Sequence, residues 1–249
     1  MGTTSAAALR KNNTRNRVLS LIRERGKISK TQLKRETGYS MATVLSTVDE
    51  LLADNLIFYA EKGNALSGRK PTFISLNPRG GYFAGITFNA TDMSAAILDY
   101  RGDMIHYFSE SFVLSNLSVE YVLDRLAVNL FKMLEILKDK KEPVIGIGVG
   151  APGYLDEKTG ISIFYPHIPK WRNVDIQGFL KPLVLDIPTY IEHNTNGMAL
   201  AYKWLRPEYR DMCYVIISIR SGIRMSCVFK NRLYKGKNYT AGEIGHIRI

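Results

Sequence analysis

At 249 residues, 45% hydrophobic and 23% charged, the chain has room for one large domain or two ordinary ones and is too apolar for disorder. No apolar run is long enough to span a bilayer, and no signal-peptide h-region opens the chain. The net charge of +11 is uneven: residues 1–80 carry +8 and the remaining 169 carry +3, the pattern of one module that meets a polyanion.

Residues 1–13 are small and polar and read as a flexible tail. From Thr14 the spacing of Val18, Leu19, Leu21 and Ile22 predicts an amphipathic helix that Gly26 ends. Ser29 stands where an N-cap belongs, before a second helix over Lys30–Thr37 that stops at Gly38. Ser40 caps a third helix, about Met41 to Asp54, with Val44, Val48, Leu51 and Leu52 on its apolar face. Two short helices joined by a tight glycine-containing turn form the helix-turn-helix signature, whose second helix enters the major groove of double-stranded DNA. Ser40, Thr43, Ser46 and Thr47 are the expected contacts, because small hydroxyl side chains let the backbone approach phosphates and base edges. A hairpin follows, Leu56–Tyr59 and Thr72–Leu76. Lys62, Arg69 and Lys70 at its tip suit a phosphate or minor-groove contact, which makes the whole a winged helix-turn-helix over 14–79.

After Gly80-Gly81 the composition changes. Phe83 to Leu98 reads as two strands around a turn at Asn89–Asp92, and Met104 to Phe112 as a third strand. Val119–Lys138 is an amphipathic helix with Val122, Leu126, Leu130, Met133 and Leu134 inward, and Pro143–Gly150 is a short buried strand. A turn at Gly153–Asp156, a helix near 174–185, a strand at Thr189–Glu192, a helix at Asn196–Leu205 and strands at Cys213–Ile219 and Met225–Phe229 complete an α/β domain. Cys213 and Cys227, too few for a disulfide framework, lie in this apolar sequence and are expected to be buried thiols in a bacterial cytoplasm.

Several segments carry a family resemblance: SKTQLKRETGYSMATVLSTVDELLADNLI and SGRKP in the first module, then GIGVGAPGYLD, Trp171-Arg172-Asn173, IEHNTNGMALA and AGEIGH at 241–246. Together the chain resembles the ROK family (repressors, open reading frames and kinases), in particular its sugar-responsive repressors. The resemblance implies an actin-like, ribonuclease H-like sugar-kinase fold of two α/β lobes. The first lobe would occupy 80–211 and an incomplete second lobe 212–249. It also implies sugar contacts from Glu243, His246, His193 and Asn194, with His167 on a loop that approaches the same cleft.

The resemblance likewise shows what is altered. The segment that reads E-N-D-A-N in the family's kinases is Glu192-His193-Asn194-Thr195-Asn196 here, so Asn194 stands where the catalytic Asp belongs, and an amide cannot take a hydroxyl proton. The two phosphate loops read Thr87-Phe88-Asn89-Ala90-Thr91 and Arg220-Ser221-Gly222-Ile223-Arg224, with the first Asp and all but one of the expected glycines gone. Arg220 or Arg224 would grip a phosphate only as a new site. The expectation is a non-catalytic, sugar-sensing repressor that binds an operator as a homodimer, without a membrane partner. The alternatives are an ATP-dependent sugar kinase with a DNA-binding module and a ligand-independent DNA-binding protein. No cofactor is expected in this chain. In a longer form, His246 with a following cysteine cluster would bind zinc.

Overall fold

The computed structural model describes residues 6–62, 72–206, 209, 212–220, 222–237 and 239–247. The chain divides into two compact units, Met1–Tyr82 with Leu98–Asp103, and Phe83–Ile97 with Met104–Ile249. The expected lobe boundary at residue 212 therefore falls inside one compact unit.

The first unit opens with helix α1, Ala6–Arg25, which begins eight residues before the expected start at Thr14 and takes in most of the expected tail. Its Ala6-Ala7-Ala8-Leu9 run propagates a helix readily, so a polar sequence without a core-facing stripe is helical here. Gly26 leaves α1 with φ +68°. Strand β1 is Ile28–Ser29, and helices α2 (Lys30–Thr37) and α3 (Met41–Ala53) follow as expected. A reciprocal capping box starts α2: Ser29 Oγ accepts from Gln32 N, and Gln32 Oε1 accepts from Ser29 N. Gly38 ends it in the left-handed region, donating to Lys34 O. Strands β2 (Ile57–Lys62) and β3 (Thr72–Leu76) pair antiparallel, and β1 joins on the far side of β3 with Ile28 opposite Ile74. Val18, Ile22, Leu33, Val44, Val48, Leu51 and Ile74 are fully buried and form the core of this unit.

The second unit is built on a five-stranded sheet. Strands β4 (Tyr82–Phe88), β5 (Asp92–Asp99) and β6 (Met104–Ser111) are followed by helix α4 (Val119–Lys138), whose bounds match expectation. Ser118 caps α4, and Val122, Leu126, Leu130 and Met133 are buried; Leu134 is half-buried, and Leu137 takes the inward place one turn further on. Strand β7 (Val144–Ala151) enters the sheet middle. The stretch Gly153–Asp156, expected as a turn, instead begins a small antiparallel sheet: β8 (Tyr154–Asp156), β9 (Ile161–Phe164) and β10 (Arg172–Asp175). Trp171 anchors that sheet, buried with its indole N–H donating to Ser162 Oγ at 2.8 Å.

Helix α5 (Ile176–Val184) leads to strand β11 (Thr189–His193), parallel to β7, and helix α6 (Asn194–Leu205) starts directly from it. The order of the large sheet is β11-β7-β4-β5-β6. A last antiparallel sheet comprises β12 (Tyr214–Ile219), β13 (Ile223–Phe229) and β14 (Arg232–Tyr234). The cysteines depart from expectation: Cys213 is exposed and Cys227 half-buried, because Cys213 lies one residue before β12 and outside its pairing. Among the described residues no helix is long and apolar enough to cross a membrane.

Candidate functional site

Glu243, His246, His193, Asn194 and His167 all line one cavity of about 480 Å³ in the second unit. Each arrives there for a local reason. β11 ends at His193 and α6 begins at Asn194, so the strand-to-helix junction aims both residues out of the sheet end. His193 is also the N-cap of α6: its Nδ1 accepts the Thr195 N–H at 3.1 Å. His167 lies on the loop between β9 and β10, its ring edge-on to Tyr165.

Glu243 and His246 reach the cavity because glycines press their loop against β13. A Cβ at Gly242, which has φ +93°, would lie 1.7 Å from Met225 O, and one at Gly245 would lie 2.7 Å from Ile223 O. Met225 N donates to Gly242 O at 2.7 Å and fixes the approach.

The electrostatics of the cavity are set by burial. His193 is pushed down to about 3 by desolvation and by the positive charge of Arg224, so it is neutral. With Nδ1 accepting, its proton resides on Nε2, which leaves a donor. Arg224 is ion-paired with Glu243. Glu243 is the only carboxylate among the described lining residues. Tyr154, Tyr165 and Ser218, not expected as contacts, also line the cavity, as does Asn89 from the altered first phosphate-loop segment. Tyr165 beside Pro166-His167 was the most legible of them, since it lies on the same loop.

A second polar cluster, also not anticipated, adjoins this region. Lys235 is ion-paired with both Glu157 and Glu192, and Asn196 Nδ2 donates to Glu192 at 2.8 Å. Asn196 Oδ1 accepts in turn from Ser226 at 2.6 Å. Burial pushes Glu157 up to about 7, reinforced by the neighbouring Glu192 and opposed by Lys235. Glu192 is itself raised by burial, but hydrogen bonds with Glu157, Lys235 and Asn196 carry it below the ordinary carboxylate value. Below about pH 7, Glu157 thus keeps a proton that Glu192 has released, beside the Lys235 ammonium. The cluster joins elements 78 residues apart, so no local motif announced it.

In the first unit, α3 turns Ala42, Thr43, Leu45, Ser46 and Asp49 outward. Ser40 Oγ accepts from Thr43 N and lies 2.8 Å from Thr43 Oγ1. Thr47 is a correction. It is buried with Val44, Val48 and Leu51, because positions i, i+3, i+4 and i+7 form one helical stripe and a threonine methyl fits among them. It therefore does not face outward with Thr43 and Ser46. Arg69 and Lys70 lie outside the described residues. Lys62 ends β2.

Among the described residues no group of three or more His, Cys, Asp or Glu is placed to hold a metal, and His246 alone does not make a site.

The large sheet and its flanking helices define an α/β domain. The chain belongs to the ROK family, whose sequence profile matches residues 83–249. It is similar to the xylose repressor of Bacillus spizizenii, 28% identical over 232 residues, covering 93% of this chain and 59% of that protein. It is also similar to the N-acetylglucosamine repressor of Escherichia coli, 21% identical over 234 residues, covering 93% of this chain and 56% of that one. Among solved structures, a ROK family transcriptional regulator homologous to the E. coli MLC protein superposes with TM-score 0.78 at 24% identity, covering 97% of this chain and 60% of that one. A ROK family glucokinase from Streptomyces griseus, in complex with glucose and AMPPNP, superposes with TM-score 0.58 at 22% identity, covering 68% of this chain and 51% of that one. The second unit has the actin-like sugar-kinase fold that these structures share. The chain spans about three-fifths of the length of the relatives it matches.

Proposed function

We propose that the protein is a DNA-binding transcriptional repressor whose ROK domain senses a sugar without acting on it. The observation that carries this reading is the composition of the cavity. It gathers three imidazoles, two amides and a carboxylate, groups that orient polyol hydroxyls, yet its single carboxylate among the described lining residues is held by Arg224, and one of the amides, Asn194, stands where the family resemblance puts the kinase base. Similarity that runs over 93% of this chain to proteins named xylose repressor and N-acetylglucosamine repressor supports the same reading.

In this reading the first unit is a winged helix-turn-helix. Helix α3 enters the major groove through Thr43 and Ser46, with Ser40 at its N-terminus contacting a phosphate, and Lys62, Arg69 and Lys70 form a basic wing. The protein works in the bacterial cytoplasm as a homodimer, so that two α3 helices read a pseudo-palindromic operator. Sugar bound in the cavity shifts the protein toward a state with lower operator affinity, through a coupling of about 1–3 kcal/mol. His193, Asn194, Glu243, His246 and His167 hold the sugar. The test is calorimetry of the chain with a panel of aldoses and amino sugars, beside binding to duplexes selected from a random library. Binding of both ligands is expected; failure of every sugar to bind would overturn the sensor reading.

A further inference from the structure

One wall of the cavity differs in chemistry from the rest. The β11–α6 junction and the loop at 243–246 bring imidazole, amide and carboxylate groups, which suit hydroxyls, whereas strands β8 and β9 bring the rings of Tyr154 and Phe164. The two are a direct cross-strand pair, Tyr154 opposite Phe164, so their side chains leave the same face of the small sheet with Cβ atoms about 5 Å apart. Gly153 permits this closeness. It has φ +80°, and a Cβ there would lie 2.3 Å from Phe164 O and 2.8 Å from Tyr165 Cβ.

The pair is held in place from its own sheet. Arg172 on β10 pairs with Phe164 and holds its guanidinium 4.7 Å from the centre of that ring. Tyr165, next in sequence, is buried and meets the His167 ring edge-on at 5.2 Å, which ties the aromatic wall to one of the hydroxyl-orienting imidazoles. Tyr154 and Phe164 are nevertheless 37% and 39% exposed, and both line the cavity. A sugar ring carries hydroxyls around its rim and C–H bonds on its faces, and polarised C–H groups are attracted to the electron-rich face of an aromatic ring. The imidazole, amide and carboxylate groups suffice to orient the hydroxyls of one ring. At about 480 Å³ the cavity lies in the range of sites that enclose a drug-sized ligand, which is more than one sugar ring fills.

We propose that Tyr154 and Phe164 form an aromatic subsite that stacks a second ring, so that the cavity takes a glycosidically linked sugar of two or more units in preference to the free monosaccharide. The proposal rests on reading this cavity as the effector site. One unit is oriented by His193, Asn194, Glu243 and His246, and the next lies against the aromatic pair, which makes Tyr154 and Phe164 the residues that set ligand length.

Calorimetry on the full chain with xylose and xylobiose, glucose and cellobiose, and N-acetylglucosamine and N,N′-diacetylchitobiose compares each sugar with its own linked dimer. The methyl glycoside of each monosaccharide separates a blocked anomeric hydroxyl from a second ring. At least one dimer is expected to bind about tenfold or more tightly than both its parent sugar and the methyl glycoside. Tyr154→Ala and Phe164→Ala should each narrow that preference severalfold and leave monosaccharide affinity within about twofold, while Tyr154→Phe should keep the preference. The exposed Tyr154 provides the readout if the Phe164 variant fails to fold. Monosaccharides or methyl glycosides that bind as tightly as the dimers, or a preference unchanged in Tyr154→Ala, would overturn the proposal and leave the sensor reading standing. Absence of binding by any sugar, single or linked, would remove the sensor reading itself.

Discussion

The Nδ1 of His193 accepts the backbone N–H of Thr195 at 3.1 Å, so a single imidazole both starts helix α6 and faces the cavity. One hydrogen bond therefore sets where the helix begins and which nitrogen of the ring remains to donate to a ligand. The cap requires this cavity-lining residue to stay neutral: an imidazolium has no lone pair with which to accept from Thr195.

That requirement has a pH signature. His193 titrates at about 3 rather than 6.5, so between those values the unfolded chain binds a proton that the folded chain refuses, and stability falls as the pH drops through the window. Glu157 titrates at about 7 rather than 4.5, so the folded chain keeps a proton that the unfolded chain has released, and stability falls as the pH rises from 4.5 to 7. The two slopes oppose each other between pH 4.5 and 6.5, and the depressed Glu192 acts only below that range. Glu157→Gln is expected to leave stability rising with pH across this interval and His193→Asn to leave it falling, each by at most about 1.4 kcal/mol per pH unit. Urea titrations followed by tryptophan fluorescence report on the second unit, which contains both Trp171 and Trp204. Parallel slopes in the two variants would contradict the assignment.

The capping box of α2 is a local contribution to the first unit. Ser29→Ala removes the acceptor for Gln32 N and leaves Gln32 Oε1 still bonded to the residue 29 N–H. A loss of about 1 kcal/mol is expected, read by circular dichroism during thermal unfolding. A loss below a few tenths would mean that the cap is dispensable.

On α3, the burial of Thr47 separates it from its neighbours. Thr47→Val keeps the shape of the apolar stripe and is expected to leave operator affinity within about twofold. Thr43→Ala and Ser46→Ala are each expected to weaken it by roughly 2- to 10-fold, the range of one lost hydrogen bond. Fluorescence anisotropy with a labelled duplex measures all three. A large effect at Thr47 with none at Thr43 and Ser46 would place the groove-facing side elsewhere.

Restoring the kinase carboxylate should not restore a kinase. In Asn194→Asp a carboxylate returns, but Arg220 after β12 and Arg224 on β13 still stand where the family resemblance puts a glycine-rich phosphate loop. Neither the native chain nor the variant is expected to turn over ATP in a sugar-dependent coupled assay. Turnover by the native chain would reverse the non-catalytic reading.

Much of the scaffold was legible because local signals agree with the tertiary structure. Ser29, Gly38 and Ser40 mark helix ends by side-chain and backbone chemistry that needs no distant partner. Strands β8, β9 and β10 were hidden because three or four residues among turn-formers give no period to read, and their pairing joins segments with no shared local signal. Thr47 was misjudged through its hydroxyl although its spacing from Val44 and Leu51 already placed it in the stripe. In the cavity, the histidines, Asn194 and Glu243 were readable through the family segments, whereas Ser218 arrives from a strand whose register only the fold determines. The Glu157–Glu192–Lys235 cluster had no sequence signature, since ion pairs at long separation follow from topology alone.

The central claim is that sugar binding and operator binding are coupled in one chain. The direct measurement is the operator dissociation constant at fixed salt, with and without a saturating concentration of whichever sugar or sugar derivative calorimetry identifies. The account predicts a 5- to 150-fold loss of operator affinity and, by linkage, an equal loss of sugar affinity on the DNA-bound protein. Tight binding of both ligands with neither affecting the other would contradict it.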